Sequence, residues 1–243
     1  LVGVGGAAGS LGTAASVTVS NAGTLAFKRS DGFTNSAAVI GGAGTLRQIG
    51  TGTLVITNEA NSYGATHVFD GRLQLGDGAS PSRRLGTGNV TVSSPGELAF
   101  NRLDVYLLTN VVTGSGGLAQ IGPTNLQITV LGNLGAGNSF SGGTVISNAE
   151  LELVPGATSP VEAGFFNANE RGLGTGPVTF QGNSTLRLAS HNGGEVANGN
   201  AQGAGNFANA ISVPAGQSGR IVTPGRFTMS GAVTGAGALE LSV

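Results

Sequence analysis

Apolar residues recur at every second position in short runs along this chain, as in Val17 and Val19, Leu54 and Ile56, and Leu73 and Leu75. That alternation is the period of a strand with one buried face. The runs are short, and between them lie clusters of Gly, Asn, Ser and Thr, among them Gly41-Gly42-Ala43-Gly44, residues 58–62 and residues 135–143. Such residues accept left-handed backbone angles or bond their own main chain, so they predict turns. Short strands separated by frequent turns suit a sandwich, a barrel or a β-helix equally well.

Repetition decides among the three. Leu11-Gly12-Thr13, Leu85-Gly86-Thr87 and Leu173-Gly174-Thr175 each lead to a strand-like phrase (Val17-Thr18-Val19, Val90-Thr91-Val92, Val178-Thr179-Phe180) and then to a second one (Leu25-Ala26-Phe27, Leu98-Ala99-Phe100, Leu186-Arg187-Leu188). The units so marked run over about 11–84, 85–172 and 173–243. A further phrase, Leu46-Arg47-Gln48-Ile49-Gly50 with Leu54-Val55-Ile56-Thr57, returns as Leu118-Ala119-Gln120-Ile121-Gly122 with Leu126-Gln127-Ile128-Thr129. Stacked coils bury one another's apolar faces, which rewards copies of one motif; a sandwich gains nothing from them. The expectation is an all-β fold, a single-stranded right-handed parallel β-helix forming one continuous segment over 1–243. Solenoid coils of about 25 residues would divide the chain into about ten. Leu46, Leu54, Ile56, Leu118, Leu126 and Ile128 are expected to point into one core.

The stretch Gly42 to Gly76, with its Gly-x-Gly-x-Leu and Gly-x-Gly-x-Leu-x-Ile phrases, then Tyr63-Gly64 and Leu73-Gln74-Leu75, resembles the autotransporter-associated β-strand repeat. A looser copy covers Gly114 to Leu153. The resemblance implies a right-handed parallel β-helix exported to the bacterial surface as a stalk or passenger segment that supports adhesion. On that footing the chain is expected to be part of a longer surface protein. Its partners would be further coils or copies of the same solenoid at both ends, surface glycans, or host and matrix surfaces.

Composition narrows the alternatives. Gly accounts for 45 of 243 residues, and each interior Gly costs a helix about 1 kcal/mol relative to Ala, so helices are disfavoured. Mean hydropathy is +0.18 and only 9% of residues are charged, the reverse of a disordered chain. A net charge of −1 with 11 scattered Lys and Arg offers no basic stripe for nucleic acid. Cys is absent, which removes disulfides and thiolate ligands. No apolar run is long enough to cross a bilayer as a helix, so no helical membrane span is expected.

Polysaccharide-cutting β-helices gather acidic and basic residues on one face, so catalysis here would need a similar gathering. The Asp residues are Asp31, Asp70, Asp77 and Asp104. Asp70 and Asp77 flank one strand, but paired turn residues are the plainer reading. Glu150 and Glu152 share an outward face as any solvated strand edge would. His67 and His191 have no carboxylate partner fixed by spacing. The sole Lys is Lys28, and no phosphate-loop or calcium-roll pattern is complete. The expectation is therefore no catalytic, cofactor-binding or metal-binding residue and no cofactor. Two segments read as insertions, 161–171 with Phe165-Phe166, and 191–209. The rival functions are a filament or matrix subunit that stacks end to end, and a carbohydrate-binding or polysaccharide-cleaving β-helix. Leu1-Val2-Gly3-Val4 opens without a polar cap and Gly237 to Val243 closes in mid-pattern, so continuation is expected at both ends.

Overall fold

The computed structural model describes residues 1–79, 84–123, 125–130, 137–155, 172–188, 205–223 and 227–242. Every strand pairing among the described residues is parallel, and they contain no helix. The chain winds into a β-solenoid.

Its main wall is a nine-stranded sheet made, in order, of Phe33–Asn35, Thr53–Ile56, Arg72–Leu75, Glu97–Phe100, Gly117–Gln120, Thr144–Ser147, Val178–Gln181, Ile211–Ser212 and Val233–Thr234. One register column runs through it: Phe33, Leu54, Leu73, Leu98, Leu118, Thr144, Val178, Ile211, Val233. Eight register steps carry Phe33 to Val233, so the average coil takes about 25 residues, a usual length for a solenoid repeat. At a strand spacing of about 4.8 Å the sheet is about 38 Å long.

A five-stranded sheet (Thr24–Phe27, Thr45–Gln48, Thr66–Val68, Val90–Val92, Val112–Thr113) forms a second wall in the N-terminal half. A six-stranded sheet (Tyr106–Leu108, Asn125–Val130, Glu150–Pro155, Asn183–Leu188, Ser218–Val222, Ala238–Ser242) forms a wall in the C-terminal half. Two smaller pairs, Ser16–Thr18 with Val39–Gly41 and Gly205–Phe207 with Phe227–Met229, complete the described strands. Inward residues of all three main sheets form one core, in which Leu46, Leu54, Ile56 and Leu118 are buried as expected. Leu126 and Ile128 fall in register between Leu151 and Leu153 on one side and Tyr106 and Leu108 on the other; their side chains lie outside the described residues.

Corners are tight enough to dictate Gly. Gly42 has φ +94°, and a Cβ there would lie 2.2 Å from the Val19 carbonyl oxygen; Gly114 has φ +110° and would meet the Val92 carbonyl oxygen at 2.2 Å. Backbone angle and close approach together exclude a side chain.

Where two sheets stop, an Asn takes over. Val39–Gly41 is the last strand of its sheet, and the Asn61 Oδ1 accepts the Ile40 N–H at 2.9 Å. Val112–Thr113 is likewise the last of the five-stranded sheet, and the Asn138 Oδ1 accepts the Val112 N–H at 2.8 Å. Each side-chain carbonyl replaces the backbone carbonyl that a further strand would have supplied.

The second expected insertion needs correction. Residues 205–209 belong to the wall: Gly205–Phe207 is a strand, Phe207 and Asn209 are buried, and the Asn209 Nδ2 donates to the carbonyls of Gly174 and Gly176. The segments 161–171 and 191–204 lie outside the described residues.

Candidate functional site

The chemistry-bearing side chains are spread over the outer surface and engage neighbouring coils. In the nine-stranded sheet Arg72 and Glu97 face each other in register and pair at 2.6 Å. The outer face of the six-stranded sheet carries Glu150, Arg187, Arg220 and Glu240: Arg187 bonds Glu150 at 3.1 Å, and Arg220 meets Glu240 at 3.4 Å. The Glu150 carboxylate raises the proton affinity of the Arg187 guanidinium. Partly exposed pairs of this kind contribute between about 0 and 1 kcal/mol each. They also fix which coil stacks on which.

The acids singled out in the sequence do not converge. Asp31 takes two bonds from Arg29, at 2.9 and 2.8 Å, and that guanidinium holds its carboxyl below the usual carboxylate range. Asp70 accepts the N–H of Gly71 at 2.7 Å, and Asp77 that of Ala79 at 3.0 Å, so both carboxylates cap the turns on which they sit. Asp104 pairs with Arg102 at 2.7 Å, and that guanidinium lies 4.5 Å from the centre of the Tyr106 ring. Glu150 is committed to Arg187, while Glu152 stands in register with Arg187 on the same face. His191 and Phe165-Phe166 lie outside the described residues. Among the described residues no three His, Asp or Glu side chains gather as metal ligands would.

One cluster was not foreseen. On the outer face of the five-stranded sheet Arg47 and His67 are in register, and both turn toward Phe69. The guanidinium lies 5.7 Å from the Phe69 ring centre and the imidazole meets the ring edge-on at 5.8 Å. Burial and the neighbouring Arg47 charge push the His67 pKa down, so the ring is neutral near pH 7. Phe69 remains 41% exposed. The sequence signal was available, because His67 and Phe69 alternate about Val68, but the Arg47 partner lies one coil away. A second apolar patch, Leu103, Val105 and Leu107, alternates outward beside the first strand of the six-stranded sheet.

An open cleft of about 350 Å³ lies near the C-terminal end, lined by Thr185, Ser218, Gly219, Arg220 and Glu240 among others. Its charged groups are the Arg220–Glu240 pair already described.

No family model, curated protein or solved structure matches the chain.

Proposed function

We propose that this chain is a non-catalytic structural rod, a stalk or passenger segment presented outside a bacterial cell and supporting adhesion. The observation that carries this reading is the stack of long parallel sheets, nine and six strands, whose outward ion pairs Arg72–Glu97, Arg187–Glu150 and Arg220–Glu240 join one coil to another. Continuous ladders stiffen the long axis, and paired surface charges leave few groups free for chemistry. The resemblance of residues 42–76 to the autotransporter-associated repeat supports the extracellular setting. Antibodies raised against the chain should label intact source cells; labelling only after lysis would overturn the location. Pectin, glucans and esters, with and without Ca²⁺, should yield no product. Turnover abolished by Asp70→Asn or Asp77→Asn would overturn the non-catalytic part.

A second reading, carbohydrate binding, draws support from the Arg47–His67–Phe69 cluster, because an exposed ring beside cationic and hydrogen-bonding groups suits the apolar face of a sugar. Glycan-array binding lost in Phe69→Ala would favour it.

A further inference from the structure

Phe69 turns its ring outward in the middle of a wall. Its neighbouring strand, Thr66–Val68, is the third of the five in its sheet and is paired on both sides, so the surface there is built from within the stack. The Phe69 N–H donates to the Gln48 carbonyl at 2.8 Å and the Ile49 N–H to the Phe27 carbonyl at 2.9 Å. The ladder thus runs on past the strand ends and sets Phe69 beside Ile49, and Ile49 beside Lys28. The adjacent outward column is Ala26, Arg47, His67, Thr91 and Thr113, in which small residues flank the Arg47–His67 pair. Neither column holds an acid.

Arg29, Arg72, Arg102, Arg187 and Arg220 each meet a carboxylate. Arg47 meets none among the described residues: its guanidinium lies over the Phe69 ring, and its Nε is buried without a hydrogen-bond partner. The acid next to Phe69 in sequence, Asp70, turns its carboxylate onto the Gly71 N–H. An aromatic face attracts a cation but does not neutralise it. The half-buried Arg47 therefore holds an unmatched positive charge beside a ring that is 41% exposed.

We propose that Arg47, His67 and Phe69 bind a carboxylated sugar, a hexuronate unit of an acidic glycan, with its carboxylate on the Arg47 guanidinium and its apolar ring face on Phe69. A planar guanidinium matches a planar carboxylate through two parallel bonds. The free surface of the Phe69 ring suits the C–H face of a pyranose. The neutral His67 imidazole carries one donor and one acceptor for sugar hydroxyls, and the Thr91 hydroxyl, in register on the next coil, adds another of each. Nucleic acid fits poorly, because it needs a row of cations and these two columns hold Lys28 and Arg47 alone. The proposal rests on the carbohydrate reading and names its class of sugar.

Oligomers of glucuronate, galacturonate and mannuronate, each beside a counterpart whose carboxyl groups have been reduced to alcohols, separate charge from ring shape. In calorimetric titrations at least one acid form should bind about tenfold or more tighter than its reduced counterpart, the weight of one charge-assisted contact. Arg47→Gln should abolish that preference and leave the affinity for the reduced form. Arg47→Lys, which keeps the charge and loses the fork, should retain part of it. Phe69→Ala should weaken both forms, and Arg72→Gln, on the nine-stranded face, neither. Each variant should keep the parent's circular dichroism. Equal affinity for acid and reduced forms, or a preference that survives Arg47→Gln, would overturn the carboxylate assignment and leave the carbohydrate reading standing. Binding to none of the oligomers would overturn both.

Discussion

Gly219 lies against the ring of Phe180, so closely that a Cβ on Gly219 would stand 2.5 Å from the ring carbon Cγ. In register, Gly219 follows Ser184 and precedes Leu239 on the inward side of the six-stranded sheet. Small residues at the first two of these positions make room for a ring coming from the opposite wall. Phe180 is fully buried and has nowhere to retreat. Gly219→Ala is therefore expected to destabilise by about 1–3 kcal/mol, as overpacked cores do, and chemical denaturation would measure it. A double variant, Gly219→Ala with Phe180→Leu, should recover part of the loss; no recovery would mean that the contact is not the cause.

Thr144 breaks the apolar column between Leu118 and Val178. It is 1% exposed, and its hydroxyl has no hydrogen-bond partner among the described residues. The comparable Thr66 has one, the Tyr63 hydroxyl at 3.4 Å. Phe140 follows Asn138-Ser139 just as Tyr63 follows Asn61-Ser62, and it brings a ring without a hydroxyl. Burying an unpaired hydroxyl costs about 1–3 kcal/mol, so Thr144→Val is expected to raise stability by about 1 kcal/mol. Thr66→Val should not. A thermal melt of the two variants side by side checks the difference.

Burial pushes the Tyr63 phenol up to about 12 from 10.0. The folded chain then holds a proton that the unfolded chain releases, so Tyr63 contributes stability that is fully present below pH 10 and is lost as pH rises toward 12. A shift of this size corresponds to a loss on the order of 3 kcal/mol across that window. Tyr106 is shifted in the same direction by burial. Tyr63→Phe should flatten the alkaline limb of stability against pH, and Tyr63→Phe with Tyr106→Phe should flatten it further. A limb of unchanged slope in the double variant would exclude the phenols as its source.

Strand periodicity and the inward set were legible in the sequence because alternation is local. The wall on which each repeat lies was not. Leu25, Leu98 and Leu186 hold one place in the three repeats, yet they sit in the five-stranded, nine-stranded and six-stranded sheets respectively. The reason lies in length. Backbone contacts carry the path from Val17 up to Ile40, on past Ser62 to Tyr63, and from there to Thr87. The repeat places its copy of Val17 at Val90, past Thr87, so each copy begins one wall further round. Pattern matching cannot see that offset, because it depends on how much chain each corner consumes. The Arg72–Glu97, Arg187–Glu150 and Arg220–Glu240 pairs and the Arg47–Phe69 contact were hidden for a related reason: their partners lie one coil apart and are adjacent only after stacking. Turn-capping by Asp70 and Asp77 could be read, since an acid just before a Gly or small residue makes a local bond.

The two sheet-ending Asn residues were passed over in the sequence as turn formers, and they lead to the most specific expectation. Asn138 is 6% exposed; its Oδ1 accepts the Val112 N–H at 2.8 Å, and its Nδ2 donates to the Gly172 carbonyl at 2.7 Å. One side chain thus spans from the coil before it to the coil after it. Removing it with Asn138→Ala leaves a buried donor and a buried acceptor without partners, a loss of about 2–4 kcal/mol. Global stability alone could fall for other reasons, so the decisive readout is local. Hydrogen exchange at the Val112 amide should accelerate in Asn138→Ala beyond the change at Leu98 and Leu118, whose sheet bonds are untouched. Asn138→Asp keeps the acceptor and removes the donor, so it should hold the Val112 amide protected relative to Asn138→Ala while still destabilising the fold through the Gly172 carbonyl. Asn61→Ala should repeat the first result at Ile40. If Val112 exchanged no faster than Leu98 and Leu118 in Asn138→Ala, the side chain would not be standing in for a strand.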